Sequence, residues 1–247
     1  MDAVLSNTNT SSSSKWFKIV MCFRKYISKI LHFSLALFSK VLKKRGNIYM
    51  FHSVGDNRHK LNVSVSSFER FLQSLKKEKI CRLENWEEFD DCICLTFDDV
   101  PDSFYYNAYP LLVRYSIPFT LFISLNLLDS ESFLTTEMLL EIAHNPLCTV
   151  GSHGCKHQFY SSLSKDEIAE ELLSSKRTLE NLLNQDVELF AFPYGSFYAS
   201  GFCNKKKVKD YYKYGFSTVA SPISKPNLLP LYFLPRICVD EALIGNQ

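Results

Sequence analysis

The sequence predicts an α/β fold organised around a mostly parallel sheet. From residue 47 onward, short apolar segments alternate with segments of helical periodicity, and this alternation favours βα repeats. About seven strands can be counted, more than a small ferredoxin-like unit holds. The residues able to do chemistry follow the ends of these strands, as they do in βα barrels and doubly wound sheets. Both architectures fit these observations.

The strands are predicted from short apolar runs bounded by polar or turn residues. They are NIYMFHSV at 47–54, ICLTF at 93–97, PFTLFIS at 118–124, CTVGSH at 148–153, LFAFPYG at 189–195, FSTVA at 216–220 and a last apolar run near 231–239.

The helices between them are predicted from capping signals and spacing. Ser66-x-x-Glu69 predicts a helix that runs to about Lys79, and Ser164-x-x-Glu167 predicts the start of a long amphipathic helix. Three further helical segments are predicted near 104–115, from Thr135 or Thr136, and in the Lys-rich stretch 204–214.

The first 46 residues differ from the rest in charge. They hold nine Lys and Arg against one acid, a net charge of +8, so the remaining residues carry −6 of the total of +2. Residues 1–14 form a polar tail, and residues 15–45 predict a basic amphipathic helix. Its longest uncharged run, 30–39, is shorter than the roughly 20 residues that span a bilayer. We expect contact with an anionic membrane surface; packing on the body or a partner-binding role are the alternatives.

The body, residues 47–247, is predicted to be one domain. Its acidic balance gives no support to a nucleic-acid surface, and it lacks the glycine-rich motifs of dinucleotide and P-loop sites. The eight cysteines show no C-x-x-C pair, and several lie in apolar runs, where a reduced thiol acts as a small hydrophobe. Reduced thiols favour a cytoplasmic location, which together with the basic arm suggests the inner face of the membrane.

Two strand ends predict a metal site. Asp98 and Asp99 end one strand, and His153 and His157 follow another. A carboxylate and two imidazoles suit Zn²⁺ and leave positions open for water and substrate. Asp99 is the candidate ligand, which leaves Asp98 as a base. The alternatives are a helix N-cap for the acids and surface-loop positions for the histidines.

Three motifs follow strand ends in order along the chain: TFDD at 96–99, SHGCKH at 152–157 and FAFPYG at 190–195. They resemble the first three motifs of the polysaccharide deacetylases, also known as the NodB-homology or carbohydrate esterase family 4 domain. Their order and spacing match the family, and the resemblance covers residues 47 to about 240. It implies a distorted (β/α)7 barrel and metal-dependent hydrolysis of N-acetyl, or sometimes O-acetyl, groups on a sugar. MFHSV at 50–54 and FAFPYG are most similar to the poly-N-acetylglucosamine deacetylase branch.

The resemblance also implies roles for individual residues. Asp99, His153 and His157 would hold the metal, and Asp98 would be the general base. The turn at Pro193 and Tyr194 would contact substrate, with the Tyr194 backbone N–H donating to the developing oxyanion.

Three family features are missing: an arginine at the position of Ala191, a later Trp-containing motif and a late Leu-x-His motif that supplies the general acid. In the branch named above an upstream histidine is proposed as the acid, which assigns that role to His52. A strand-end histidine bonded to backbone is the alternative. Arg236 is a candidate to replace the missing arginine.

The sequence therefore predicts a carbohydrate deacetylase, a hydrolase acting on carbon–nitrogen bonds other than peptide bonds. An N-acetylated polysaccharide or glycolipid precursor of a surface polymer would be its substrate, and zinc its most fitting metal. A non-catalytic barrel that binds sugar or scaffolds a complex, and a hydrolase of non-sugar amides, are the alternatives. Four aromatic residues are equally candidates for stacking on sugar rings and for packing in the core or on the surface. They are Tyr105, Tyr106, Phe197 and Tyr198.

Overall fold

A computed structural model describes residues 22, 26–27, 29–31, 34, 43–55, 61–88, 90–201, 204–225 and 229–245. The predicted tail and most of the predicted basic helix lie outside these residues. Within the described part of the chain, no helix is both long and apolar enough to cross a membrane. The first strand begins at Lys43, four residues before the predicted start of the domain.

Eleven strands are described. They are β1 Lys43–Phe51, β2 Ser53–Val54, β3 Asn62–Val63, β4 Lys79–Ile80, β5 Cys92–Asp98, β6 Phe119–Ile123, β7 Cys148–Ser152, β8 Leu189–Ala191, β9 Tyr214–Phe216, β10 Ile223–Lys225 and β11 Ile237–Cys238. Nine of them form one curled sheet in which β1, β5, β6, β7, β8 and β9 lie side by side and pair in parallel. β10 is antiparallel to β1, and β2 and β3 pair separately.

An irregular C-terminal segment covers the seam of this curled sheet. Leu231 and Leu234 exchange backbone hydrogen bonds with Gly215 beside β9, and β11 then pairs with β1 on the other side of the seam. Pro235 lacks an N–H and cannot continue a regular ladder, which explains why the predicted strand near 231–239 shrinks to β11. The architecture is thus a distorted, incompletely paired βα barrel.

Seven α-helices are described, and most of them connect consecutive strands. They are α1 Val65–Ser74, α2 Tyr109–Arg114, α3 Thr136–Ala143, α4 Lys165–Leu183, α5 Phe197–Ser200, α6 Lys205–Val208 and α7 Glu241–Gly245. The predicted capping box Ser164/Glu167 is present at α4, and Thr135 caps α3.

Several predicted boundaries are wrong. The N-cap of α1 is Ser64, whose hydroxyl accepts from Ser67 N, and not Ser66. Glu69 accepts a hydrogen bond from Tyr115 instead of closing a capping box. The predicted strand 216–220 ends at residue 216, because the Ser217 hydroxyl accepts from Val219 N and thereby competes with the ladder. The helix near 104–115 is a π-helical turn followed by α2, and the Lys-rich helix shortens to α6.

The core has two layers separated by the sheet. Every residue of β5 is buried, and its side chains alternate between the layers. Leu95 and Phe97 join the layer between sheet and helices, whereas Cys94 joins the layer inside the curl. By the same alternation Asp98 lies on the inner side, at the carboxyl end of the strand.

One disulfide joins Cys81 and Cys92, which the sequence did not predict. Five other described cysteines carry free thiols: Cys22, Cys94, Cys148, Cys155 and Cys238. Burial raises the pKa of the Cys155 thiol to about 11, so this thiol is protonated at neutral pH.

Candidate metal and catalytic site

A cleft of about 660 Å³ opens at the carboxyl ends of the strands. Its volume falls within the roughly 300–1,000 Å³ typical of small-molecule sites. Six predicted site residues line it: His52, Asp98, Asp99, His153, His157 and Tyr194. Its apolar lining includes Met50, Leu61 and Phe133, which the sequence did not single out.

The predicted metal ligands converge in this cleft. His157 Nε2 lies 2.9 Å and His153 Nε2 3.6 Å from Asp99 Oδ1, and one ligand atom from each residue falls within 4.8 Å of the others. Asp99 and His157 both have left-handed backbone conformations, with φ of 60° and 47°. Such conformations are uncommon for residues with a side chain and concentrate at functional sites.

The donor set fits a divalent cation. His153 Nδ1 lies 2.8 Å from the Ala191 carbonyl oxygen, so it must donate, and the lone pair of Nε2 faces the cluster. Asp99 Oδ1 is buried without a well-aligned hydrogen-bond donor in the described residues. One carboxylate oxygen and two imidazole nitrogens, with room beside them, are a ligand set that zinc accepts.

The pKa shifts of His153 and Asp99 agree with this fit. Burial lowers the pKa of His153 and so favours the neutral imidazole that metal binding requires. Burial by itself would raise the pKa of Asp99, but the neighbouring His157 and His153 outweigh it and the pKa falls well below its usual range. Burial would lower the pKa of His157, yet its contact with Asp99 raises it.

Asp98 lies beside the cluster and is held by an arginine. Its two carboxylate oxygens each accept from one amino group of Arg236, at 2.7 Å, and its Oδ2 is 4.0 Å from His153 Nε2. Arg236 also donates to the Ser217 carbonyl and the Thr96 hydroxyl, and is fully buried. Burial would raise the pKa of Asp98, but the Arg236 charge overcomes this and lowers it, so Asp98 is ionised at neutral pH.

His52 follows β1 and faces the same cleft. Its Nδ1 is buried and has no hydrogen-bond partner in the described residues, so the alternative of a strand-end histidine bonded to backbone does not hold for that nitrogen. Burial lowers the pKa of His52, and the charges of Asp98 and Asp99 oppose this only in part.

The turn after β8 places Tyr194 at the rim of the cleft. Tyr194 and Gly195 have φ of 59° and 45°, and a Cβ on Gly195 would come within 2.6 Å of Thr218 N, so only glycine fits there. The Tyr194 ring lies 4.7 Å from that of His157 and 4.4 Å from that of Phe159, and about half of its surface is exposed, 51%. Pro193, also predicted to contact substrate, precedes it in this turn.

The predicted sugar-stacking residues do not form one surface. Phe197 is buried against Phe233, so it belongs to the core. Tyr105 and Tyr106 contact each other away from the residues that line the cleft. Phe159, two residues after His157 and outside the second motif, contacts the Tyr194 ring at the rim of the cleft instead, and the sequence analysis did not single it out.

The fold and the site together define a class of protein: metal-dependent hydrolases that carry a carboxylate and two imidazoles beside a base at the carboxyl end of a βα barrel. The chain belongs to the polysaccharide deacetylase family, whose sequence profile matches residues 87–219. It is a carbohydrate deacetylase, a metal-dependent hydrolase that removes acetyl groups from sugars and acts on carbon–nitrogen bonds other than peptide bonds.

Individual relatives agree with this assignment. YxkH of Bacillus subtilis, described as a polysaccharide deacetylase, is 24% identical over 209 residues, covering 81% of this chain and 73% of YxkH. The poly-β-1,6-N-acetyl-D-glucosamine N-deacetylase of Staphylococcus aureus MRSA252 is 27% identical over 216 residues, covering 78% and 73% of the two chains. The fold resembles that of Streptococcus pyogenes deacetylase PplD in complex with acetate, with a TM-score of 0.70 at 24% identity over 79% of this chain and 92% of that one.

Proposed function

We propose that this protein is a zinc-dependent N-deacetylase of a β-1,6-linked N-acetylglucosamine polymer or its precursors. The observation that supports it most strongly is the convergence of Asp99, His153 and His157 beside the Asp98–Arg236 pair in one open cleft. The linkage follows the substrate in the name of the Staphylococcus aureus relative.

Asp99, His153 and His157 are the residues that would hold the cation. When bound, a zinc ion supplies a Lewis acid that polarises the acetyl carbonyl and lowers the pKa of water to about 7. Asp98, ionised and held by Arg236, takes the proton of the attacking water. The Tyr194 N–H donates to the oxygen that becomes negatively charged. His52 in its protonated form gives a proton to the departing nitrogen and becomes neutral, so that the amide and water become acetate and an amine.

The two proton-transfer residues suit these roles because their environments differ. Asp98 stays a carboxylate, because Arg236 stabilises its charge. His52 has a lowered pKa as a result of burial, so its protonated form is a stronger acid than an exposed imidazolium.

The test is acetate release from β-1,6-linked N-acetylglucosamine oligomers, with β-1,4-linked oligomers and an O-acetylated sugar as comparison substrates. Each reaction is run before and after removal of metal with a chelator, and after addition of Zn²⁺. We expect release from the β-1,6 oligomers, its loss with the chelator and its recovery with Zn²⁺. Faster release from β-1,4 oligomers would refute the proposed linkage, and no release by the zinc-loaded protein would favour a sugar-binding barrel.

We also propose that residues 15–45 contact an anionic membrane surface from the cytoplasmic side. The positive charge of the arm supports this, although the segment lies mostly outside the described residues. Five free thiols favour a reducing compartment, whereas the Cys81–Cys92 disulfide opposes it. Co-sedimentation of the full chain and of a chain lacking residues 1–42 with anionic and neutral vesicles tests the contact; equal binding by both chains would refute it.

A further inference from the structure

The loop after β7 carries two of the three metal-ligand candidates, His153 and His157, and the second of them has an unfavourable backbone conformation. Gly154 and His157 both have left-handed backbone angles, with φ of 82° and 47°. Glycine tolerates this conformation, but histidine does so only where surrounding contacts hold it. The position of the His157 imidazole therefore depends on what anchors residues 154–158.

The anchor is a buried carboxylate on α4. Glu171 is only 5% exposed, and its Oε2 accepts hydrogen bonds from the backbone N–H groups of Cys155 and Lys156, at 2.9 and 3.2 Å. Its Oε1 accepts from the Gln158 side chain at 3.1 Å. A carboxylate is expensive to bury unless donors satisfy it, and here all three donors come from residues that flank His157.

A second contact joins the same helix to the start of the loop. The Ser152 hydroxyl donates to the Ser175 hydroxyl at 2.9 Å and accepts from Gly154 N at 3.1 Å. Residues 171 and 175 are one turn apart and so lie on the same face of α4. The helix therefore holds the loop just after β7 through Ser175 and around His157 through Glu171.

We propose that Glu171 is a positioning residue for the metal site. Its carboxylate fixes the backbone on both sides of His157, so that the imidazole meets His153 and Asp99 at a distance suited to one cation. This inference rests on the proposed metal dependence and adds a residue that touches neither the cation nor the substrate. Outer-shell groups of this kind orient ligands, and their loss typically weakens metal binding by about 10- to 100-fold.

The chain offers a matched control next to Glu171. Glu170 is exposed and accepts a hydrogen bond from Ser174 on its own helix. Glu170→Gln and Glu171→Gln make the same chemical change one residue apart. In Glu171→Gln an amide NH₂ replaces one acceptor oxygen, so the side chain cannot accept from all three donors.

The experiment measures Zn²⁺ affinity in competition with a chromophoric chelator, the visible spectrum of the Co²⁺-substituted protein, and the melting temperature of the metal-free protein. We expect Glu171→Gln to lower Zn²⁺ affinity about 10- to 100-fold and to alter the Co²⁺ spectrum, while Glu170→Gln matches the wild type. In the deacetylase assay kcat should fall, with KM nearly unchanged.

The other possible results either overturn the role of Glu171 alone or refute the proposed function as well. Unchanged Zn²⁺ affinity and Co²⁺ spectrum in folded Glu171→Gln would overturn the inference, as would an equal loss in Glu170→Gln. If Glu171→Gln does not fold, Glu171→Asp keeps the charge but withdraws it from the loop, and wild-type affinity in that variant would overturn the inference. A wild-type protein that binds no Zn²⁺ would refute the proposed function and this inference together, whereas binding by wild type and variant alike refutes the inference alone.

Discussion

Arg236 and Asp98 form a two-point ion pair although they lie 138 residues apart in the chain, with both N–O distances at 2.7 Å. The arginine comes from the irregular segment that covers the seam of the sheet, and the aspartate from the end of β5. Breaking a buried pair on one side typically costs about 3–5 kcal/mol, because the other charge stays buried and unpaired. The pair therefore links the proposed base at the end of β5 to the C-terminal segment that covers the seam of the barrel.

Asp98→Asn is expected to abolish catalysis and to destabilise the fold. Loss of a general base lowers the rate by about 10²–10⁴-fold, and the unpaired Arg236 costs about 3–5 kcal/mol of unfolding free energy. Zn²⁺ content should stay near the wild-type level, because Asp98 is not among the three convergent ligands. Acetate release, metal analysis and urea unfolding measure the three effects, with the exposed Asp186→Asn as the control. Wild-type acetate release by Asp98→Asn would show that another group is the base.

Arg236→Lys is expected to lower kcat while leaving KM nearly unchanged. Lysine keeps the charge but cannot make the two parallel hydrogen bonds that orient the Asp98 carboxylate. Arg236 is not among the residues that line the cleft, so substrate binding should be affected little. Steady-state kinetics measure the split between the two parameters, with the exposed Arg177→Lys as the control. A rise in KM at constant kcat would instead mean that Arg236 acts on substrate binding.

The sequence predicts site residues best where side chains able to bind metal or transfer protons follow the end of a strand. Successive side chains of a strand point to opposite faces, so two adjacent acids at a strand end are expected to have different surroundings. This expectation favours different roles for Asp98 and Asp99, although both line the cleft. The histidine pair and the turn at Tyr194 follow neighbouring strands, so parallel pairing brings them to the same end of the sheet.

What the sequence could not predict depends on tertiary contacts. The Arg236 segment has no regular periodicity, so its course across the seam could not be derived, and only the missing arginine at Ala191 pointed to it. The N-cap of α1 was placed at Ser66 because nothing local shows that Glu241, from the end of the chain, accepts from Ser64 N. In the sequence Glu171 cannot be distinguished from other helix glutamates, because only the structure shows the loop residues that donate hydrogen bonds to it.

The stability of the protein should fall steeply in acid, and the Asp98–Arg236 pair should contribute to this. The folded pKa of Asp98 is lowered, so its contribution is fully present above the unfolded value of about 3.9. It is lost as the pH falls from there through the folded pKa, because the unfolded chain binds the proton more readily. Urea unfolding between pH 5 and pH 2 should show a shallower acid decline in Asp98→Asn than in the wild type. Parallel declines would mean that other carboxylates dominate.

His52→Gln is expected to lose amide hydrolysis while retaining hydrolysis of an activated aryl acetate. A departing amine must be protonated, whereas an aryloxide with a low pKa leaves without an acid. Asp98→Asn should lose both reactions, since either one needs a base for water. The ratio of the two rates, measured in wild type and in both variants, separates the roles. Equal losses of both reactions in His52→Gln would contradict its role as the acid.

Removing any one of the three ligand side chains is expected to remove the metal and the activity together. Asp99→Asn, His153→Ala and His157→Ala each leave two of the three convergent donors, which do not complete the ligand set of a catalytic zinc site. The exposed His144→Ala is the control, because the ring of His144 contacts only its own helix in the hydrogen bonds described. Metal content after gel filtration and acetate release at saturating Zn²⁺ are the measurements. His157→Ala that retained stoichiometric Zn²⁺ would show that the cation is held by Asp99 and His153 with a different third group, and would remove the reason for the strained conformation at residue 157.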